Sequence, residues 1–392
     1  MPFSPEHAAR AASSSTTAER PWLDVAIVGA GPAGIGMALT LQKLGALRLA
    51  VFDRARIGES YRRWPKETRF ITPSFNSNAF GLADLNAVNE LSSPGAFLGV
   101  EHPSGVQYAE YLKRAVAEYD VPVIENCAVE QVRPRVEGGF VLDTTRGMLN
   151  THFVIWATGE YQFPDLAPFP GGQCCTHYAQ VETWRRFDTG HYTVIGGYES
   201  GVDAAFNLVQ QGSTVRLLSR KSGWDAMDAA DPSLALSPDS RVRLRQALDS
   251  GRLQIVFGVD VVALTHEPVR GYRIQAADGR HWQTQSAPIL GTGFLKGGGA
   301  RQIRELWDWD EDERVVLSQN DESTLQPGLF LVGPQVRQAQ RIFCFIYKFR
   351  QRYAFIATQI AQRLSLDSTR LQTGSGRWGP FGNLDCCEGC EC

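Results

Sequence analysis

The stretch DVAIVGAGPAG, residues 24–34, decides the fold. Val25 to Val28 are an apolar run that reads as a strand, and glycines follow at 29, 31 and 34. After them IGMALTLQKLG carries helical periodicity and stops at Gly45. Strand, glycine turn and helix in this order make a seat for an anion. Gly29 permits the tight turn, Gly31 lets the backbone approach a pyrophosphate, and Gly34 lets helix and strand pack closely, with the charge on the helix N-terminus. Pro32 and Ala33 complete the turn. The next strand, LRLAVFD, ends at Asp53, 24 residues after Gly29, where a carboxylate can bond ribose hydroxyls; Arg54 follows it. With a strand before, a helix after and an acid closing the second strand, the pattern reads as a dinucleotide site rather than a bare glycine turn.

The unit recurs at YTVIG, residues 192–196, which opens into Gly196-Gly197-Tyr198-Glu199-Ser200-Gly201, the helix VDAAFNLVQQG and the strand STVRLLSR. Tyr198 stands where the middle glycine of the fingerprint would be, so this second site is looser. Its second strand closes on Arg220 and Lys221 instead of an acid, which suits a 2′-phosphate and favours NADPH over NADH; otherwise these are solvated loop charges. Two further apolar strands end alike, FVIWATG at Thr158-Gly159 and ILGTG at Gly293, and each carries the chain between the units. The expected fold class is α/β: two Rossmann-like three-layer nucleotide-binding domains, with an NAD(P)H domain over 187–287 inserted into an FAD domain made of 22–186 and 288–366. Two nucleotide folds in one chain imply that one nucleotide passes electrons to the other.

The 392 residues are 43% apolar and 21% charged, enough for two cores. With 39 basic against 42 acidic residues the formal charge is -3, without the basic excess that nucleic acid or an anionic membrane surface calls for. No run approaches 18 apolar residues, and the polar, Ala/Ser-rich residues 1–21 read as a disordered leader, so a cytoplasmic chain is expected. Eight cysteines are present. Cys127, Cys174, Cys175 and Cys344 are spread through the body, whereas Cys386, Cys387, Cys390 and Cys392 fall in the last seven residues. That is not the spacing of a secreted disulfide scaffold. Cys174-Cys175 either form a vicinal disulfide or pack in the crossover. His177 and His191 read as structural, and no metal-ligand histidine cluster, Ser/His/Asp triad or spaced carboxylate pair stands out.

On these motifs, residues 22–365 resemble the two-dinucleotide-binding-domain flavoproteins, the class that holds thioredoxin reductases and flavin-containing monooxygenases. HYAQVETW and VIGGYESGVDAAFNLVQQGSTVRLLSR are most similar to its bacillithiol-disulfide-reductase-like and monooxygenase-like branches. The resemblance implies FAD on the first turn and a third FAD segment at Leu329–Pro334, followed by a helix over RIFCFIYKFRQRYAFIATQIAQRL that carries Cys344 and Phe345 at its start. The class's Gly-Asp is here Gly333-Pro334, so Gln335 or a water replaces the aspartate, or the flavin pose differs. Glu59, Ser60, Tyr61 and Trp64 occupy a segment that wraps the flavin in this class. Pro32-Ala33 stands where the bacillithiol-type reductases carry a cysteine, and no internal CxxC adjoins a turn.

The tail therefore matters. TGSGRWGPFGNLD is a flexible linker, and about 20 such residues span roughly 25 Å, enough to reach an active site in this subunit or in a partner. Closely spaced thiols serve either dithiol-disulfide exchange or a soft metal held by Cys386, Cys387, Cys390 and Cys392. The reading that follows is an FAD-dependent NAD(P)H oxidoreductase passing hydride from NADPH to FAD and on to a small-molecule or protein disulfide or thiol. The C-terminal cysteines and Cys344 serve it as redox thiols. A flavin monooxygenase is the alternative, and a soft-metal-ion reductase or a metal-handling flavoprotein the next. Dimers are common in this class, so a homodimer is an open expectation; no nucleic acid or membrane partner is expected.

Overall fold

A computed structural model describes residues 21–75, 83–221, 231–339 and 341–372; most of the expected leader and the cysteines at 386, 387, 390 and 392 lie outside them. The first sheet takes β1 (Trp22–Val28), β2 (Leu49–Phe52), β3 (Val123–Ile124), β4 (Val129–Pro134), β5 (Phe140–Thr144) and β6 (Gly147–Trp156), in the order β3-β2-β1-β6-β5-β4. β1 lies parallel between β2 and β6, and its Val25, Ala26 and Ile27 are wholly buried, as a central parallel strand covered on both faces requires. From β1 the chain enters helix α1 (Pro32–Gln42), with Gly31 at its N-cap and Pro32 in its first turn.

The second sheet and its neighbour take β7 (Thr176–His177), β8 (His191–Ile195), β9 (Thr214–Leu218), β10 (Leu253–Val256), the antiparallel meander β11 (Val261–Glu267), β12 (Gly271–Ala276) and β13 (His281–Thr284), and β14 (Ile289–Leu290). The parallel order is β10-β9-β8-β14-β7, so this sheet draws strands from both sides of the 187–287 stretch. Helices α2 (Glu199–Gln210) and α3 (Pro238–Asp249) pack against each other within this unit. The chain then returns to the first sheet: β15 (Leu329–Leu331) pairs parallel with Val154–Trp156 of β6, on the same edge where β5 pairs antiparallel with residues 147–151. The α/β fold with parallel sheets is thus present.

The two glycine turns are the same device built twice. Gly29 (φ +114°) and Gly196 (φ +108°) both sit in left-handed backbone, and a Cβ on either would fall 2.4 Å from a carbonyl oxygen, that of Ala157 or of Gly291. The ATG and GTG strand ends therefore close against their turns. A Cβ on Gly34 or Gly201 would meet the oxygen of Gly29 or Gly196 at 1.8 Å, which is why helix and strand approach so closely only with glycine there.

The helix expected over 341–364 is broken. Arg341–Ile342 pair with Arg337–Gln338 as a short hairpin, and Phe345 is extended (φ -93°, ψ 152°). Helix begins only at Ile346–Phe349, passes through the tight turn Arg350–Arg352 and continues as α4 (Tyr353–Arg363). Cys344 thus precedes the helix instead of starting it. The hairpin takes backbone groups that a helix would use, the Phe343 N–H meeting the Val336 carbonyl at 3.4 Å, and the helical turns that follow are tied to distant loops by the buried Lys348 on Asp231 and the buried Arg352 on Asp321. Helix α4 is fixed on α1, where the Tyr353 ring fills the space over Gly36 and its hydroxyl donates to the Pro32 carbonyl at 3.0 Å.

Candidate functional site

A cavity of about 810 Å³ opens where the first turn meets the second unit. Gly29, Gly31, Pro32, Ala33, Asp53 and Arg54 border it on one side, with Ser60, Trp64, Thr158 and Gly159 beyond them. Glu199 and Ser200, at the N-terminus of α2, border it from the second unit, and Cys344, Phe345 and Pro334 close a third wall. Gly34, Gly196, Gly197, Arg220, Lys221, Gly293 and Gly333 are not among the residues that border it.

Asp53 stands at the end of β2 as expected. Its two oxygens accept from the Ala30 and Ala55 N–H groups, each at 2.8 Å, and carboxylate lone pairs remain for ribose hydroxyls. Burial pushes its carboxyl up, and the two N–H donors pull it only part of the way back. Arg54 donates to Gln162. Thr158 borders the cavity, but its buried hydroxyl has no hydrogen-bond partner and packs against Gly299, where a Cβ would fall 1.7 Å from it. A Cβ on Gly31 would meet nothing within 4 Å, so the backbone there faces open space. A cradle of bare backbone at a helix N-terminus and an acid at the ribose position fit a dinucleotide, and the volume lies in the range of cofactor pockets. Tyr61, Trp64 and Phe70 form the aromatic side of the cavity, and Tyr108 backs them, the four rings packing at 4.5–5.4 Å.

At the second turn Tyr198 takes the backbone conformation of Gly31 but sends its side chain away, its hydroxyl donating to the Ser233 carbonyl at 3.0 Å and the Ala235 carbonyl at 2.5 Å. Lys221 Nζ lies 5.4 Å from its ring centroid, and Arg220 is exposed beside it. Glu199 is engaged within its own unit: it accepts from the Ser237 N–H at 2.6 Å and the Ser240 hydroxyl at 2.5 Å, closing the start of α3. Burial pushes its carboxyl up against these bonds. Gly293 is held by His177, whose Nε2 lies 2.9 Å from its carbonyl. A buried polar bridge joins the units: Asp203 on α2 accepts from the Thr68 hydroxyl at 2.9 Å and the Tyr178 hydroxyl at 2.7 Å, and pairs with Arg243 on α3.

The thiols divide clearly. Cys344 borders the cavity and its Sγ donates to the Ser233 hydroxyl at 3.1 Å, while Lys348 Nζ donates to the same hydroxyl at 2.8 Å. Burial pushes the Cys344 thiol up, opposed by that bond and by the Lys348 charge. Cys174 and Cys175 are both free thiols, the first exposed and the second half-buried and pushed up to about 12 by burial, so the vicinal disulfide is not formed. Gln335 is not a ribityl ligand: its oxygen accepts from the Gly297 N–H at 2.8 Å, its amide donates to Glu160, and it does not border the cavity. Glu160 itself, on the cavity wall directly after Gly159, was not singled out by its sequence pattern. Among the described residues no group of three metal-ligating side chains converges, and no helix is long and apolar enough to cross a membrane.

The family model described as pyridine nucleotide-disulphide oxidoreductase matches residues 26–333. The chain belongs to that family. It is 24% identical over 243 residues to the bacilliredoxin reductase Bdr of Bacillus subtilis, covering 62% of this chain and 68% of the relative. It is 28% identical over 258 residues to a ferredoxin–NADP reductase of Paracidovorax citrulli, covering 60% and 67%. Among solved structures, a flavin-containing monooxygenase from Stenotrophomonas maltophilia shares the fold with a TM-score of 0.69 at 17% identity, over 88% of this chain and 99% of that one. As a family member the protein is an FAD-dependent NAD(P)H oxidoreductase, and its cofactors are FAD and NADP(H).

Proposed function

We propose that the protein carries reducing equivalents from NADPH through FAD to a disulfide or thiol acceptor, with Cys344 as the thiol in the cavity wall and the C-terminal cysteines as relay. One observation carries the reading: the first turn, the N-terminus of α2 and the Cys344 thiol border a single cavity, so donor side, carrier side and thiol are neighbours. FAD supplies, when bound, a two-electron carrier between nicotinamide and acceptor. The chain's own part is to seat it. Gly31 and the start of α1 take the pyrophosphate, Asp53 a ribose, and the aromatic wall excludes water. Arg220 and Lys221 select the 2′-phosphate, and Ser233 and Lys348 orient the Cys344 thiol. The division into an FAD-binding unit over 22–186 and 288–366 and an NADPH-binding unit between them belongs to the same proposal. The similarity to the bacilliredoxin reductase supports the thiol acceptor.

The test is NADPH oxidation by the FAD-loaded chain, with and without oxygen, with cystine, bis(2-hydroxyethyl) disulfide or a Cu(II) salt as acceptor. Turnover that needs a disulfide, and that falls at least about tenfold in Cys344→Ser or in a chain ending at Asp385, supports the reading. Turnover that needs oxygen and yields an oxygenated product replaces it with a monooxygenase. Turnover that needs the metal ion alone replaces it with a metal reductase.

A further inference from the structure

Glu160 is a carboxyl group that the cofactor sites leave unused. It follows Thr158-Gly159 at the end of β6, and its side chain is half-buried on the cavity wall. The Gln335 amide donates to it, and Gln335 is itself fixed by the Gly297 N–H, so one carboxyl oxygen has a donor that cannot turn away. The charged and titratable groups that face Glu160 are the Arg337 guanidinium, the Cys344 thiol and the Tyr61 phenol. The Arg337 Nη1 is spent on the Pro334 and Val336 carbonyls at 2.6 and 2.8 Å, so it balances charge without taking the carboxylate as its direct partner. Burial pushes the Glu160 carboxyl above its ordinary range, and Arg337 and Gln335 offset only part of that. It holds its proton to higher pH than a surface glutamate.

Reducing a disulfide breaks one S–S bond and forms two S–H bonds, which takes two electrons and two protons. NADPH gives up both electrons and one proton in becoming NADP⁺, so the second proton has another source. We propose that Glu160 delivers that second proton to the departing thiolate sulfur. The Glu160 O–H bond breaks, an S–H bond forms, and water reprotonates the carboxylate. Gln335 is a positioning residue that acts through Glu160. The inference rests on the disulfide reading of the acceptor.

The test compares two disulfides on the FAD-loaded chain. Bis(2-hydroxyethyl) disulfide releases a basic alkyl thiolate that needs a proton, whereas 5,5′-dithiobis(2-nitrobenzoate) releases an acidic aryl thiolate that leaves without one. Glu160→Gln should slow turnover of the alkyl disulfide by about 10²-fold or more and leave the aryl disulfide within about twofold. Glu160→Asp should recover much of the loss. Infrared difference spectra taken through a pH titration should show a protonated-carboxyl band that persists to higher pH than a surface glutamate allows and that Glu160→Gln lacks, a readout independent of turnover. Equal losses on both disulfides, no loss on either, or no such band overturns the role of Glu160 and leaves the disulfide reading standing. If NADPH bleaches the wild-type flavin but neither disulfide is reduced, the disulfide reading falls and takes this role with it.

Discussion

Gly31→Ala and Gly34→Ala, three residues apart on one turn, should fail in different ways. A Cβ on Gly34 would lie 1.8 Å from the Gly29 carbonyl oxygen and 3.3 Å from an Ile27 methyl, against an ordinary contact of about 3.5–4.0 Å. Helix and strand must separate, and forced overpacking of this kind costs about 1–3 kcal/mol. A Cβ on Gly31 meets nothing within 4 Å, and its backbone (φ -85°, ψ -175°) suits alanine, so the empty protein should change by no more than about 0.5 kcal/mol. That methyl projects into open space beside a cavity-lining turn, where it holds a phosphate off the backbone. Losing one charge-assisted hydrogen bond is worth about 1.5–3 kcal/mol, or roughly 10- to 100-fold in FAD affinity. Thermal unfolding of the flavin-free chains and flavin absorbance per chain after reconstitution separate the two effects. Gly34→Ala should melt several degrees lower; Gly31→Ala should melt with the wild type and lose flavin. If Gly31→Ala destabilised the flavin-free chain as much as Gly34→Ala, or kept its full flavin, the assignment of the cradle would be refuted.

Three further expectations follow from buried or facing charges. Arg352 pairs with the fully buried Asp321 at 2.6 Å, so Arg352→Met strands that carboxylate and should cost about 3–5 kcal/mol in urea unfolding; a loss below about 1 kcal/mol would show that the pair is no brace. Burial pushes the Glu322 carboxyl up, but the Arg363 guanidinium and the Gly328 N–H at 2.6 Å outweigh it and hold the group below its ordinary range. Its folded value lies below its unfolded one, so its stabilisation is full above the ordinary carboxylate range and lost as pH falls through the folded value. Glu322→Gln should therefore be less stable than wild type near pH 7, with the difference narrowing below about pH 4, and a difference constant with pH would contradict this. The double substitution of Arg220 and Lys221 by alanine should raise the KM for NADPH about tenfold or more with little change for NADH; equal effects on both would remove these residues from 2′-phosphate selection.

What the sequence made legible was whatever a short segment must do alone. Both turns, Asp53 and the ATG and GTG strand ends were readable because tight turns, bare backbone and strand termini impose residue types at fixed spacing. Contacts across long separations were not. Glu199 read as a cofactor ligand, yet its carboxylate serves Ser237 and Ser240, 38 and 41 residues on. The residues around Cys344 read as helix from their apolar pattern, but Arg341–Ile342 fold back on Arg337–Gln338 and Cys344 turns to Ser233, 111 residues before it, so these pairings overrode the pattern. The β11–β13 meander carried no motif at all. Glu160 had one signal, its place directly after Thr158-Gly159, and a single carboxylate at such a point forms no recognisable spacing.

The most direct measurement is an anaerobic titration of the FAD-loaded, oxidised chain with NADPH, following the flavin band and counting thiols before and after. If the chain's cysteines take electrons from the flavin, about two NADPH per FAD are consumed and about two new thiols appear. A flavin bleached by one NADPH, with the thiol count unchanged, would contradict the relay.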